Sequence, residues 1–515
     1  MLKNGNAVSD SSAYEKTKLG EWSTRMVHPE KLGDYFLKGG ELVRRVGIHW
    51  LLASFLICAD IAGSGIVALP IAMTKMSFWL GIVMLSLAAT AAISSAVMLG
   101  ESWTILIRRF PVYRTHTRKP YSELAQRALG AKMRIVVSVF VNFTQFGATT
   151  VFLLLSARNV SEMLSGFFHL HLDYCIMILA VALFIFPITL LKSPKDFWGV
   201  IVGGMLSTIV AMFLIMLGSV LDWGTCRPHQ ELPPLKVNNV LAALGTILFT
   251  YGGHSAFPTV QHDMKRPSDF RKSALFAVTG VSVLNIMLSI FSVLTYGDSL
   301  RDSVISSIQT FWIQQALLLM ITVHCVMTVT LIINPLNQSA EEFFKIPQVF
   351  TIKRVVVRAC TLGVCVFVAE SIPNFGSVLE LIGASTVTTT SFTFPCLFYI
   401  YLAAGEKKSL EREHFGNQEP LTFREMIQRT SWRTLILAGI LIGVSALIGI
   451  ISTITAINGI VNDHFEPPCY LKFLFKPENT TKTGYLHCCG HEQAVTRITK
   501  YPHDEVCIKP DFNYY

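Results

Sequence analysis

Residues 57–70 read ICADIAGSGIVALP, an apolar run that carries one carboxylate, Asp60, two glycines, Gly63 and Gly65, and then Pro70. Residues 248–258 read LFTYGGHSAFP and use the same combination, with Gly252 and Gly253 in mid-run and Pro258 beyond them. Each stretch lies within an apolar segment long enough to cross a bilayer. Glycine permits unwound backbone and proline removes a helix donor, so both segments are predicted to break near mid-membrane. In hydrocarbon such backbone survives only where protein or a polar cavity satisfies it. Two breaks at one depth therefore predict one shared polar pocket. Paired glycines also serve close helix packing, which is the role read for Gly199 and Gly203.

Around these stretches the chain of 515 residues supplies apolar runs repeatedly, with 51% hydrophobic and only 15% charged residues. A soluble domain carries about a quarter of its residues as charges, so water is not the main solvent here. Spans are expected near 47–72, 77–100, 135–158, 174–191, 198–220, 238–259, 273–296, 310–336, 355–371, 376–402 and 432–456, about eleven in all. Five precede the second break, so the helix bearing it enters from the face opposite to the first. The expected fold is an all-α membrane protein built as a 5+5 inverted repeat plus one helix, with helices 1 and 6 broken. Its parts are an amino-terminal tail, 1–45, a transmembrane domain, 46–456, and a carboxyl tail, 457–515. Within the domain, repeat one covers 46–220, repeat two 238–402, and the extra helix 432–456. The first run is too long and too late for a cleavable signal, so the first helix is expected to direct insertion itself.

The net charge of +9 follows topology and does not call for a nucleic-acid partner. With a cytosolic amino terminus, the cytosolic loops hold Arg108, Arg109, Arg114, Arg118, Lys119, Arg127, Lys132, Arg134, Lys192, Lys195, Lys265, Arg266, Arg271 and Lys272, and later Lys345, Lys353, Arg354, Lys407, Lys408, Arg412, Arg424 and Arg429. The opposite loops show only scattered cases such as Lys75, Arg227, Lys236 and Arg301, a strong positive-inside bias. An odd number of crossings puts the carboxyl tail outside the cell or in a lumen. That tail holds Cys469, Cys488, Cys489 and Cys507 and the sequon at Asn479. Four cysteines in a short exoplasmic tail favour disulfides, in any of three pairings, with a zinc site as the alternative. A bridge between Cys175 and Cys226 is also expected. The sequons at Asn142, Asn159 and Asn337 fall within a span, at a boundary and on the cytosolic side, which leaves Asn479 as the glycosylation acceptor. The membrane is the cell surface or that of an endosome or lysosome.

Half-helix amino ends present freed N–H groups and partial positive charge that suit a carboxylate, and freed carbonyls suit an ammonium group. An α-amino acid offers both on one carbon. At these residues the chain resembles the amino acid/auxin permease family, a branch of the amino acid, polyamine and organocation superfamily. GSGIVALP (Gly63–Pro70) is similar to the family's first-helix signature, and FTYGGHSAFPTVQHDMKRP (Phe249–Pro267) to its sixth-helix signature. YSELAQRALG (Tyr121–Gly130), FLLLSARN (Phe152–Asn159) and IPNFGSVLELIG (Ile372–Gly383) match further patterns in order. The resemblance implies a leucine-transporter-like fold and secondary active transport of small amino acids by alternating access, coupled to protons or sodium. The alternatives are a nutrient sensor that binds without transport and a sodium symporter. No enzyme is implied: phosphate-loop, zinc-protease and nucleophile-elbow motifs are all missing from the sequence. No cofactor beyond a coupling ion is expected, the partners are the amino acid and the lipid bilayer, and no protein partner is assigned.

The resemblance implies that backbone around Gly63, Ser64 and Gly65 meets the carboxylate, and that Thr250, Tyr251, Gly252 and Gly253 supply carbonyls to the amine. In the third span Asn142 and Gln145 offer polar groups to the interior. Asp60 rests on physics alone, because relatives usually carry an uncharged residue there. A carboxylate at mid-membrane is costly unless neutral, paired or solvated, which makes it a candidate proton carrier. His49 lies about three turns earlier on nearly the same face and joins it as an ion-coupling candidate. His254 either gates or senses pH, or hydrogen-bonds unwound backbone. Thr328, with Thr322, Thr330 and Asn334, either lines a cation position or bonds between helices. Glu370 and Glu380 are expected to be solvated at the turn between spans nine and ten, with gating as the second reading.

Overall fold

A computed structural model describes residues 32–63, 65–170, 172–190, 198–230, 232–347, 349–412, 421–463 and 467–471. A short antiparallel hairpin, β1 (Tyr35–Lys38) and β2 (Glu41–Arg44), precedes the helices. The helices are α1 (Trp50–Ile61), α2 (Gly65–Lys75), α3 (Phe78–Arg109), α4 (Pro120–Leu129), α5 (Ala131–Phe168), α6 (Tyr174–Thr189), α7 (Trp198–Leu221) and α8 (Val237–Thr250). They continue as α9 (Phe257–His262), α10 (Phe270–Tyr296), α11 (Phe311–Phe343), α12 (Ile352–Ser371), α13 (Phe375–Ile382), α14 (Phe394–Arg412), α15 (Phe423–Arg429) and α16 (Trp432–Asn458). Two π-helical turns, Gly383–Val387 and Thr389–Thr393, join α13 to α14.

Both breaks fall in the predicted stretches. α1 and α2 are bent by 58° at the gap between Ile61 and Gly65. α8 stops at Thr250, and helix resumes only at Phe257. Among the described residues, seven helices are long and apolar enough to cross a bilayer, eight with the bent pair as one span. The count of eleven is not reached on that measure, for three physical reasons. α6 is only 16 residues long, α8 is cut by its break, and α12 carries Lys353, Arg354, Arg358 and Glu370. Several helices also outrun their apolar cores. α3 continues to Arg109 and α5 starts at Ala131, where polar ends project beyond the hydrocarbon that an apolar window detects.

α10 packs along α1, α2 and α3, and α8 along α2, whereas α11 packs on α5 and α7, with α6 and α12 against α5. The two groups meet at the breaks, and one continuous buried core runs through both. Where α8 crosses the start of the π-helical turns, backbone touches backbone. A Cβ on Gly383 would sit 2.0 Å from the Gly245 carbonyl, and one on Gly245 would sit 2.4 Å from the Glu380 carbonyl.

Two features were not expected. The end of the amino-terminal tail is folded: Arg44 Nη1 donates to Asp263 Oδ1 at 2.8 Å, and the Lys265 and Ile48 backbones are joined by a 2.8 Å hydrogen bond, so the hairpin lies under α9. The Cys175–Cys226 bridge is not formed, and Cys469 does not pair within its own tail. Cys175 is bonded to Cys469, with Cα atoms 5.7 Å apart, and Cys226 is disulfide-bonded elsewhere. The reason is that residues 467–471 return onto the membrane domain, where the Tyr470 ring stacks on Phe367 at 5.7 Å. Cys488, Cys489, Cys507 and Asn479 lie outside the described residues.

Gly383→Val is expected to lower the melting temperature of the detergent-purified protein by several degrees or to abolish a monodisperse peak on size exclusion, because rigid backbone cannot yield. Gly439→Ala, with nothing within 4 Å of the added Cβ, is the control and leaves both readouts unchanged.

Candidate functional site

The site begins with what glycine leaves out. A Cβ on Gly65, at the amino end of α2, would meet Thr250 Oγ1 at 2.3 Å and its Cα at 2.9 Å. A Cβ on Gly253 would meet Asp60 Oδ2 at 2.2 Å. The two breaks therefore cross in direct contact, each using a glycine to admit the other. Gly253 also has φ +98°, a left-handed conformation that side chains other than glycine rarely adopt. A Cβ on Gly63 would lie 3.1 Å from the ring of Phe152 on α5, and one on Gly252 would lie 2.8 Å from Val387 Cγ1.

Backbone groups at the crossing are freed as the break argument requires. At the first break, Ala62 N donates to Cys58 O, Gly63 N to Ile61 O and Ile66 N to Gly63 O, after which the first turn of α2 presents N–H groups without helical partners. At the second, turn bonds run to the carbonyls of Ile247, Phe249, Gly253 and His254. The carbonyls of Thr250, Tyr251 and Gly252 lie outside that ladder. Asp60 adds the single carboxylate, and its buried Oδ2 has no hydrogen-bond partner. Donors on one side, acceptors on the other and a carboxylate at the seam form a surface complementary to a zwitterion.

The structure gathers Asp60, Gly63, Gly65, Thr250, Tyr251, Gly252 and Gly253, and Ser64 lies outside the described residues. Gln145 stands on the Phe152 face of α5, roughly 10 Å along the helix, and its Oε1 is buried without a partner. Asn142 is half-buried on the same helix. His49 is not brought to Asp60. It is exposed at the amino end of α1, where its Nδ1 accepts from Leu51 N at 3.3 Å, because three turns of shared helix face still separate the two by about 16 Å. His254 faces α3 instead of the crossing: its Nε2 lies 3.1 Å from the Ala92 carbonyl and 2.9 Å from Ser95 Oγ, with the Phe257 ring tilted against it at a centroid distance of 4.6 Å. It clamps the second break onto α3.

Thr328 is buried but engaged, with Oγ1 3.2 Å from His324 Nε2. Thr322 and Thr330 donate to Leu318 and Met327 carbonyls of their own helix, and Asn334 Oδ1 accepts from Arg358. His324 itself escaped the sequence reading. It joins α11 to α7 through Thr208 at 2.7 Å and borders Phe152, with ring centroids 6.1 Å apart. A histidine in an apolar helix was the available signal. Glu380 is paired, not solvated: Lys75 at the end of α2 donates to it at 2.9 Å, and both side chains are largely buried. Cys175, Glu370 and Cys469 converge, but the two sulfurs form the disulfide and offer no thiolate to a metal.

The geometry is that of a multi-pass membrane protein whose two broken helices meet at a polar crossing. The model of the transmembrane amino acid transporter protein family matches residues 47–427, and the chain belongs to that family, which is one of transporters and not of enzymes. It is 23% identical over 413 residues to amino acid transporter AVT1I of Arabidopsis thaliana, a match that covers 78% of this chain and 92% of the relative. Amino acid transporter AVT1J of the same plant is 22% identical over 445 residues, covering 84% and 94%. Among solved structures, MhsT in complex with L-phenylalanine superposes with a TM-score of 0.53 at 12% identity, covering 80% of this chain and 100% of that one. That likeness shows the fold, which is leucine-transporter-like.

Gly65→Ala is expected to reduce amino acid uptake into cells by at least tenfold at unchanged surface expression, since its methyl group must displace Thr250 at the crossing. Gly280→Ala, which meets nothing within 4 Å on α10, serves as the control and retains full uptake.

Proposed function

We propose that this chain carries small amino acids across its membrane by alternating access, and that protons moving through Asp60 drive the cycle. The observation that carries the reading is the contact between Asp60 and Gly253, which puts an unpartnered carboxylate where two broken helices expose backbone donors and acceptors. The substrate carboxylate sits at the amino end of α2, near Gly63 and Gly65. Its ammonium group meets the carbonyls of Thr250, Tyr251 and Gly252. Asp60 holds a proton in one orientation of the site and releases it in the other, because a carboxylate at this depth is tolerated charged only while a polar cavity reaches it.

Proton coupling is favoured over sodium coupling by the titratable carboxylate of Asp60, whose Oδ2 is buried without a partner where the two breaks meet. Alternating access is supported by closures at both ends of the crossing. On one face the Lys75–Glu380 ion pair ties α2 to α13, and on the other the hairpin is tied to Asp263. The disulfide lies on the face of the first closure, and disulfides persist outside the cytosol. Together with the basic loops this supports a cytosolic amino terminus and a carboxyl tail that faces the cell exterior or the lumen of an endosome or lysosome.

In vesicles reconstituted with the purified chain, Asp60→Asn is expected to abolish uptake driven by a pH gradient while keeping exchange of labelled for unlabelled amino acid. Unchanged gradient-driven uptake in that variant removes Asp60 from coupling, and wild-type protein that binds amino acids without moving them is a sensor instead. For the closure, Glu380→Gln is expected to raise the accessibility of a reporter cysteine in the pocket to an impermeant reagent from the carboxyl-tail side. The charge-swapped pair Lys75→Glu with Glu380→Lys restores protection.

A further inference from the structure

Two neighbouring polar side chains on one side of α10 are left unsatisfied. Asn285, near the middle of that 27-residue helix, is fully buried, and neither its Oδ1 nor its Nδ2 has a hydrogen-bond partner. One turn further along, Ser289 is also fully buried, with its Oγ unpartnered. One turn earlier, Ser282 donates to the Val278 carbonyl of its own helix at 2.5 Å and faces the hydroxyl of Tyr251 in the second break. By contrast Ser292, the next residue of the stripe, is held by Ser219 at 3.4 Å. The unsatisfied groups are thus confined to the part of α10 level with the crossing. The register agrees: Ser273 bonds to the Trp50 carbonyl and Cys58 to that of Ala277, so Asn285, two turns beyond Ala277, comes level with the end of α1 and the start of α2.

Buried polar groups in native proteins are almost always hydrogen-bonded, and a hydrocarbon surround makes orphans costlier still. A carboxamide offers both a donor and an acceptor, and a serine hydroxyl can do either. The stripe itself carries no ionisable side chain to balance a charge, and Asp60, at the end of α1, belongs to the backbone crossing, where it contacts Gly253. We infer that Asn285 and Ser289 form the side-chain subsite of the amino acid pocket, and that it takes substrates with an uncharged, hydrogen-bonding side chain, a carboxamide or a hydroxyl. This rests on the carrier reading and adds the substrate class to it. Tyr251 closes the subsite from the second break, so the backbone crossing holds the zwitterion while α10 reads the side chain.

The test uses wild type, Asn285→Ala and Ser289→Ala, each purified as the full chain and reconstituted into vesicles. Initial rates for glutamine, serine and leucine are compared with melting of the protein with and without each amino acid. The expected results are a wild-type preference for glutamine or serine, and a glutamine-to-leucine ratio of kcat/KM that falls about tenfold in Asn285→Ala, as for a lost buried hydrogen bond. The unliganded variant should melt no lower than wild type, because an orphaned amide is being removed, and its glutamine-induced shift should disappear. An unchanged ratio overturns the inference, as does a lower unliganded melting temperature with selectivity intact, which makes Asn285 structural. An equal loss for every substrate with a raised sodium requirement overturns it in favour of a cation ligand. If Asn285→Ala yields no folded protein, Ser289→Ala reads the same ratio and decides. Failure of the carrier reading is distinct: wild type then neither transports nor is stabilised by any amino acid.

Discussion

Everything in this fold depends on one constraint of the bilayer: backbone that leaves a helix must find partners, and hydrocarbon offers none. The chain meets it by making two interruptions face each other. Gly65 lets the amino end of α2 rest on Thr250, and Gly253 lets the second break receive Asp60. Neither break would be tolerable alone in lipid. Together they give each other cover and leave their remaining N–H groups, carbonyls and one carboxylate turned toward a common point.

The surrounding helices keep the crossing in place. α5 supplies Phe152 against Gly63, and His324 stands behind that ring, anchored to Thr208 and Thr328. On another side, α3 grips His254. Contacts such as that between Gly245 and Gly383 are backbone on backbone and therefore stiff, whereas the ties at the two faces are ion pairs between separate elements. Residues 467–471 of the carboxyl tail are fastened to the start of α6 by the Cys175–Cys469 disulfide and to α12 by Tyr470 on Phe367.

Much of this was legible in the sequence because the physics that shapes membrane helices is local. Apolar length marks most spans, glycines followed by proline mark both breaks, and a carboxylate in an apolar run marks Asp60. What escaped depends on contacts between distant residues. Lys75 and Glu380 are separated by 305 positions, so each alone looked like a solvated charge. The partner of Cys175 lies 294 positions away, and nothing in the spacing of cysteines reveals a tail that folds back. His49 shows the opposite error: shared helix face was read as proximity, although three turns of rise lie between it and Asp60. Asn285 was hidden because one amide in a long apolar run looks like ordinary helix-to-helix bonding until its neighbours are seen to leave it unpaired.

The most direct measurement is an electron cryomicroscopy map of the full chain in lipid nanodiscs, prepared at saturating amino acid concentration. The account predicts both helices interrupted at Gly63 and Gly253, with ligand density bridging the amino end of α2 and the carbonyls of Thr250–Gly252, within reach of Asp60. Continuous helices through both positions, or ligand bound away from that crossing, would contradict it.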